Sequence, residues 1–467
     1  MPTCCRALWG GQKPDLPPIV QDPLSGYEPE PHETSHEGEQ AHPTIHEIPV
    51  PLMYMAGGAF AASKTDSRGG RGGRGRGKGR GPPSSNSTSS PSPALLTANI
   101  KNARTLDSLF GTVTAHLGRF NHIHLSACWN TLGRLAAGAD PLWFQRHAKE
   151  FESLAQTTAE VAETSAEVRA RELANIAHGA AKSGRAAGLG AVWAALADAI
   201  ERRVGDCNAQ ELANIAWAFA RAEHRSSALF DALAAAAEKR AADFNPQELS
   251  NTVHAFAKAG HSSPALFAAV AEASGRRLAE FTPQGLANTV WAFATADVAS
   301  HAFFEAVAAA ALSRLSAFNP QDLASTAYAF AKAAHASPAL FEQIGASAAR
   351  RLPSFTPQGL STLAWAFAAA GHSSPALLDA VAAAAAARLA EFDPQGLAQL
   401  AWSLAKACRP DDALFAALAR AAEARIGQFN AQDLVNTAWA YAKLGHPDPD
   451  LFRAIARSLA AQRCGGS

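Results

Sequence analysis

No run of roughly 18 apolar residues interrupts this sequence, so no hydrophobic helix is available to span a membrane. The amino terminus lacks the charged start and apolar core of a secretory signal. Cysteine is scarce: Cys4, Cys5, Cys128, Cys207, Cys408 and Cys464 form no C-x-x-C pair. That argues against a disulfide framework, a zinc site or a secreted mini-fold and fits a reducing, intracellular compartment. Charged residues make up only 18% of the 467, and the 41 basic and 41 acidic side chains cancel. No carboxylate pair, Ser/His/Asp set, phosphate loop or metal cluster stands out, so the expectation is a protein that binds rather than catalyses, without a cofactor. What remains is apolar residues at 48%, many of them alanine, enough for a large core.

The zero net charge conceals a partition. Residues 1–60 carry two basic groups (Arg6, Lys13) against eight acidic ones, whereas residues 61–100 carry seven basic groups against Asp66 alone. Residues 1–98 hold too few apolar side chains to offset the entropy of ordering and read as a disordered arm. Within it, residues 67–81 (SRGGRGGRGRGKGRG) resemble an RGG box: flexible glycines present Arg68, Arg71, Arg74, Arg76 and Arg80 for phosphate contact and base stacking. The same composition also suits a solvated linker. From Met53 or Met55 to Pro93 the chain is rich in Arg, Ser and Ala and nearly free of acid, which is transit-like, although residues 22–47 are acidic.

From about residue 165 the chain repeats. The glutamine of an F-N-P-Q-x-L unit recurs at Gln210, Gln247, Gln284, Gln321, Gln358, Gln395 and Gln432, always 37 residues apart, and an earlier copy starts at Arg171. A degenerate relative lies at 124–136, so residues 99–164 read as a helical cap or divergent repeats and 165–467 as the solenoid proper. A fixed period of this length means stacked supersecondary units. Each unit reads as two helices. Asn245 suits the N-cap of helix A, Pro246 its first turn and Glu248 the third position of a capping box; Thr282, Asn319, Thr356, Asp393 and Asn430 take the cap role elsewhere. Helix A should end near Ala259 with Gly260 left-handed, and helix B should run from Ser263-Pro264 to about Glu280. The expected fold is all-α: an αα-superhelix of about eight 37-residue repeats.

Along helix A, Leu249, Val253 and Phe256 share one stripe and small residues flank it. The opposite face, about 140–200° away at 100° per residue, carries three columns. The polar column is Asn175, Asn214, Asn251, Asn288, Ser325, Thr362, Gln399 and Asn436. The ring column is His178, Trp217, His254, Trp291, Tyr328, Trp365, Trp402 and Trp439. The basic column is Lys182, Arg221, Lys258, Lys332, Lys406 and Lys443, interrupted by Thr295 and Ala369. Amides and hydroxyls can read base edges, rings can stack bases, and cations can meet phosphates, one set per repeat, as in modular readers of single-stranded RNA. A ring column is also what packing between repeats produces, and asparagines can form a structural ladder. Arg203, Arg240, Arg277, Arg314, Arg351, Arg388 and Arg425 recur at the end of helix B, where charge–dipole attraction contributes about 0.3–1 kcal/mol each. His224, His261, His335, His372 and His446 fall in the A–B link and read as turn groups, with no second ligand to make a metal site.

The unit F-N-P-Q-x-L-A-N-T-A-W-A-F-A, assembled from Phe281–Ala294, Phe318–Ala331 and Phe429–Ala442, resembles the octotricopeptide and heptatricopeptide repeats of organellar RNA-binding factors. The resemblance implies single-stranded RNA (an organellar transcript or rRNA) as partner, other RNA-processing proteins alongside it, a plastid or mitochondrial location with cytoplasm as the alternative, and a role in RNA stability, processing or translation. Many such proteins end in a nuclease-like RAP domain; none is visible here, which speaks for binding without cleavage. The alternative is a solenoid scaffold for protein partners, which the charge neutrality of the repeats favours.

Overall fold

The computed structural model describes residues 91–464, apart from 137–138, 299 and 447. The Arg-Gly segment and nearly all of the arm lie outside these residues. Among them every regular element is helical and there is no strand. Five helices precede the regular repeats: α1 (Pro93–Asn102), α2 (Leu106–His116), α3 (His122–Leu135), α4 (Pro141–Arg146) and α5 (Ala148–Thr164). The A helices follow as α6 (Ala170–Lys182), α8 (Ala209–Ala222), α10 (Pro246–Ala259), α12 (Pro283–Thr295), α14 (Pro320–Lys332), α16 (Pro357–Ala369), α18 (Pro394–Lys406) and α20 (Ala431–Leu444). Between them run the B helices α7 (Gly190–Glu201), α9 (Ser227–Lys239), α11 (Pro264–Gly275), α13 (His301–Leu312), α15 (Pro338–Ala349), α17 (Pro375–Ala386), α19 (Asp412–Glu423) and α21 (Pro449–Cys464). The fold is the all-α repeat solenoid expected.

Local chemistry explains the helix starts. Asn245 Oδ1 accepts from the Glu248 N–H at 2.9 Å while Glu248 Oε2 accepts from the Asn245 N–H at 2.9 Å, and the same reciprocal box forms at Asn208/Glu211 and Asn319/Asp322. Thr282, Thr356, Asp393 and Asn430 cap from the side chain alone. Gly260 takes φ 65°, the left-handed value that closes α10.

Two boundaries differ from the sequence reading. Helix α1 starts at Pro93, inside the stretch read as disordered to residue 98: Ser92 Oγ accepts from the Leu95 N–H, and Leu96 and Ile100, one turn apart, are buried. A serine–proline start with a matching apolar pair is enough to begin a helix that has a surface to pack on. Helix B ends at Gly275 instead of near Glu280, because the chain breaks at Arg277 (φ −127°, ψ 12°) and tightens into a 3₁₀ turn at Leu278–Glu280.

Successive A helices, from α3 through α6 to α20, pack side by side along their lengths, whereas the B helices touch their neighbours more sparsely. The small flanks allow this: Ala255 and Ala257 are buried, and Ser250 Oγ donates to Gly285 O of the next A helix at 3.1 Å. The closest approach is at α3–α6, where a Cβ on Gly179 would lie 2.4 Å from the Trp129 carbonyl oxygen. The A helices therefore form one continuous layer, with their outward faces side by side. Between the layers, Leu249, Val253 and Phe256 are fully buried, and phenylalanines of neighbouring repeats meet edge to face, as Phe267 and Phe293 do at 5.0 Å.

The recurrent arginines are structural, and they answer more than the end of their own helix, where the Nε of Arg314, Arg351 and Arg425 donates to Ala310 O, Ser347 O and Ala421 O at 3.3–3.4 Å. Each reaches the junction one repeat earlier: Arg277 Nη1 donates to Phe244 O (2.9 Å), Arg351 to Phe318 O (2.7 Å), Arg388 to Phe355 O (2.8 Å) and Arg203 to Ala166 O (3.1 Å). Arg240 and Arg425 donate to Cys207 O and Phe392 O. Arg314 holds Leu278 O, Ala279 O and Phe281 O at 2.8–2.9 Å. The break before the 3₁₀ turn frees the guanidinium to do this.

The link histidines likewise fill seams instead of capping turns. His261 lies against Phe230 of the preceding B helix and Phe256 of its own A helix (centroids 5.5 and 5.8 Å), and its Nε2 meets Asp231 Oδ1 at 3.0 Å. His335, His372 and His446 pack on the corresponding ring pairs.

Candidate nucleic-acid interface

The structure keeps the three columns together on one face, because side-by-side packing of the A helices holds their outward faces in one register. In the polar column Asn175, Asn214, Asn251, Asn288, Gln399 and Asn436 are half-buried. Ser325 and Thr362, each 4% exposed, are closed over, as is Tyr328 beside them at 6%. Asn436 Oδ1 accepts from Gln432 Nε2 at 2.9 Å, so the glutamine of the repeat unit lies within reach of the same face.

The rings do two things at once. They pair between neighbouring helices: His178–Trp217 (5.1 Å between centroids), His254–Trp291 (4.9 Å), Tyr328–Trp365 (4.9 Å) and Trp402–Trp439 (5.9 Å), all tilted by 31–40°. The tryptophans of the column nonetheless stay half-exposed. The two histidines behave as plain rings at neutral pH. Loss of hydration, then the neighbouring Lys182 or Lys258, pushes His178 and His254 from 6.5 down to about 4. Trp291 Nε1 and Thr295 Oγ1, one turn apart on α12, are buried without a hydrogen-bond partner, an arrangement that costs about 1–3 kcal/mol per group unless a water or ligand oxygen fills it.

In the basic column Arg221 and Lys258, one repeat apart, lie close enough to repel. Burial and the charge of Arg221 in the preceding repeat both push Lys258 below its usual value, only partly offset by Glu223. The Arg221 guanidinium lies 5.5 Å from the Trp217 ring and its Nε donates to Ala181 O at 3.3 Å; Lys443 Nζ sits 5.9 Å from the Trp439 ring. Lys182 and Lys443 are exposed, and Lys332 and Lys406 half-buried. Cations beside aromatic faces form the arrangement that a stacked base with its phosphate would use. Arg68, Arg71, Arg74, Arg76 and Arg80 lie outside the described residues.

A family model described as "RNA-editing substrate-binding complex 8 protein" (RESC8) matches residues 145–465. No curated protein matches significantly. Among solved structures the chain is similar to a "circular tandem repeat protein with novel repeat topology and enhanced subunit contact surfaces", at 13% identity over 80% of this chain and 96% of that one, with a TM-score of 0.24. No helix among the described residues is long and apolar enough to cross a membrane.

Proposed function

We propose that this chain, which belongs to the family of RNA-editing substrate-binding complex 8 proteins, is a non-catalytic RNA-binding repeat protein that lays single-stranded RNA along the outward face of its A helices. The observation that carries the reading is the basic column set against half-exposed rings, with Arg221 5.5 Å from the Trp217 ring and Lys443 5.9 Å from the Trp439 ring. Neighbouring cations on one face are relieved by an anion, and a polyanion with stackable bases relieves them while covering the rings. The half-buried amides would contact base edges at about one base per repeat. The family and the likeness to octotricopeptide and heptatricopeptide units both support post-transcriptional work in a mitochondrion or plastid, within a complex of RNA and protein partners. The Arg-Gly segment would add affinity without sequence preference.

Filter binding of the full chain to single-stranded RNA pools tests this. Lys258→Ala should weaken all sequences alike and lower the salt slope by about one unit or less. Asn251→Ala should change preference at one internal position, by about 1–3 kcal/mol if base-contact energies from duplex recognition carry over. If Asn251→Ala lowers the melting temperature and leaves the selected sequence alone, the asparagines are a structural ladder. Absence of RNA binding by the full chain would leave the protein-scaffold reading, which the neutral charge balance favours.

A further inference from the structure

We propose that the seam between α13 and the link after α14 is a binding site for one divalent transition-metal ion of the zinc class, held by His301 and His335 and oriented by Glu305. The first position of helix B is proline in α11, α15 and α17 (Pro264, Pro338, Pro375), but in α13 it is His301. The sequence offered no second ligand beside the link histidines; the packing brings one to His335. Nδ1 of His301 lies 3.2 Å from Nδ1 of His335. Two imidazole nitrogens bound tetrahedrally at about 2.0–2.1 Å from zinc stand about 3.3 Å apart. The His335 ring is 8% exposed and wedged against Phe304 and Phe330, and its Nε2 is bonded to Glu305 Oε1 at 2.8 Å. A carboxylate on the far nitrogen fixes the tautomer that leaves Nδ1 with its lone pair, which is the outer-shell arrangement of metal-binding histidines. His301 and Glu305 are exposed, so an ion and its remaining water ligands can enter from solvent. Imidazole ligands favour zinc, copper or nickel over magnesium or calcium. The ion would staple α13 to the following link and stiffen one joint of the solenoid.

The test is zinc titration of the chelator-stripped full chain against a chromophoric competitor, together with melting with and without zinc. His32, His36, His42 and His46 can take zinc too, so variants are compared with the wild type. His301→Pro, which installs the residue of the sister repeats, and His301→Gln should each bind one equivalent less and lose the zinc-dependent rise in melting temperature. Glu305→Gln should weaken that equivalent by about 10–100-fold. His261→Gln, which alters a link histidine with a carboxylate partner at Asp231, should retain it. Should both His301 variants bind as many ions as tightly as the wild type, the pair is a histidine–histidine hydrogen bond and the proposal fails.

Discussion

Arg314→Ala separates two explanations of the arginine column. If the arginines act on the dipole of their own helix, removal costs about 0.3–1 kcal/mol and lysine serves equally well. The structure adds a clamp to the weak own-helix contact (Nε to Ala310 O, 3.4 Å): Arg314 Nη1 holds Ala279 O (2.9 Å) and Phe281 O (2.8 Å) while Nη2 holds Leu278 O (2.9 Å). Hydrogen bonds to a charged donor contribute about 1.5–3 kcal/mol each when shielded. Arg314 is half-buried and water can replace part of the set, so the three together should be worth about 2–3 kcal/mol rather than their sum. Lysine, a point charge without the fork, should recover about one bond in three. Urea denaturation of the full chain gives the loss, and hydrogen exchange locates it: the amides of residues 278–281 and of α13 should open first, since stability in a repeat array is a sum of neighbour terms. Arg453→Ala, which removes only the solvent-exposed pair with Asp450, serves as the control and should cost under about 0.5 kcal/mol. If Arg314→Lys matches the wild type within about 0.5 kcal/mol, the clamp is not what stabilises the joint.

The remaining predictions concern pH and packing. His254 is held at about 4 in the folded chain against 6.5 in the unfolded one, so the unfolded state takes up the proton first as pH falls. Its contribution is whole above about pH 6.5 and lost by about pH 4; His254→Trp, the residue of most other repeats, should flatten that part of the stability–pH curve, and an unchanged slope would refute the assignment. Asp433, raised to about 6, runs the opposite way and is common to both proteins, so the difference between them isolates the histidine. Gly179→Ala should cost about 1–3 kcal/mol by urea denaturation, because its Cβ would meet α3 backbone that cannot move aside as a side chain can. A loss below about 0.5 kcal/mol would mean that α3 is not clamped on α6 as described.

Sequence alone determined what depends on a few neighbouring residues. The 37-residue period names the architecture, a cap and its partner lie three residues apart, as Asn245 and Glu248 do, and the columns of helix A follow from helical geometry. Even the outward face of helix A was legible, because a Leu/Phe stripe flanked by alanines leaves one direction free. The tertiary structure decided whatever spans a seam. Whether an arginine answers its own helix or a carbonyl 33 residues earlier, as Arg277 answers Phe244, depends on a chain break that no local pattern marks. Whether Ser325 and Thr362 face solvent depends on what the neighbouring side chains lay over them, and both are buried. His301 and His335, 34 residues apart, meet only because consecutive repeats stack with a fixed offset. A repeat pattern states what each unit presents; the rotation between units states what those groups touch, and that rotation is set by the sum of side-chain volumes along the seam.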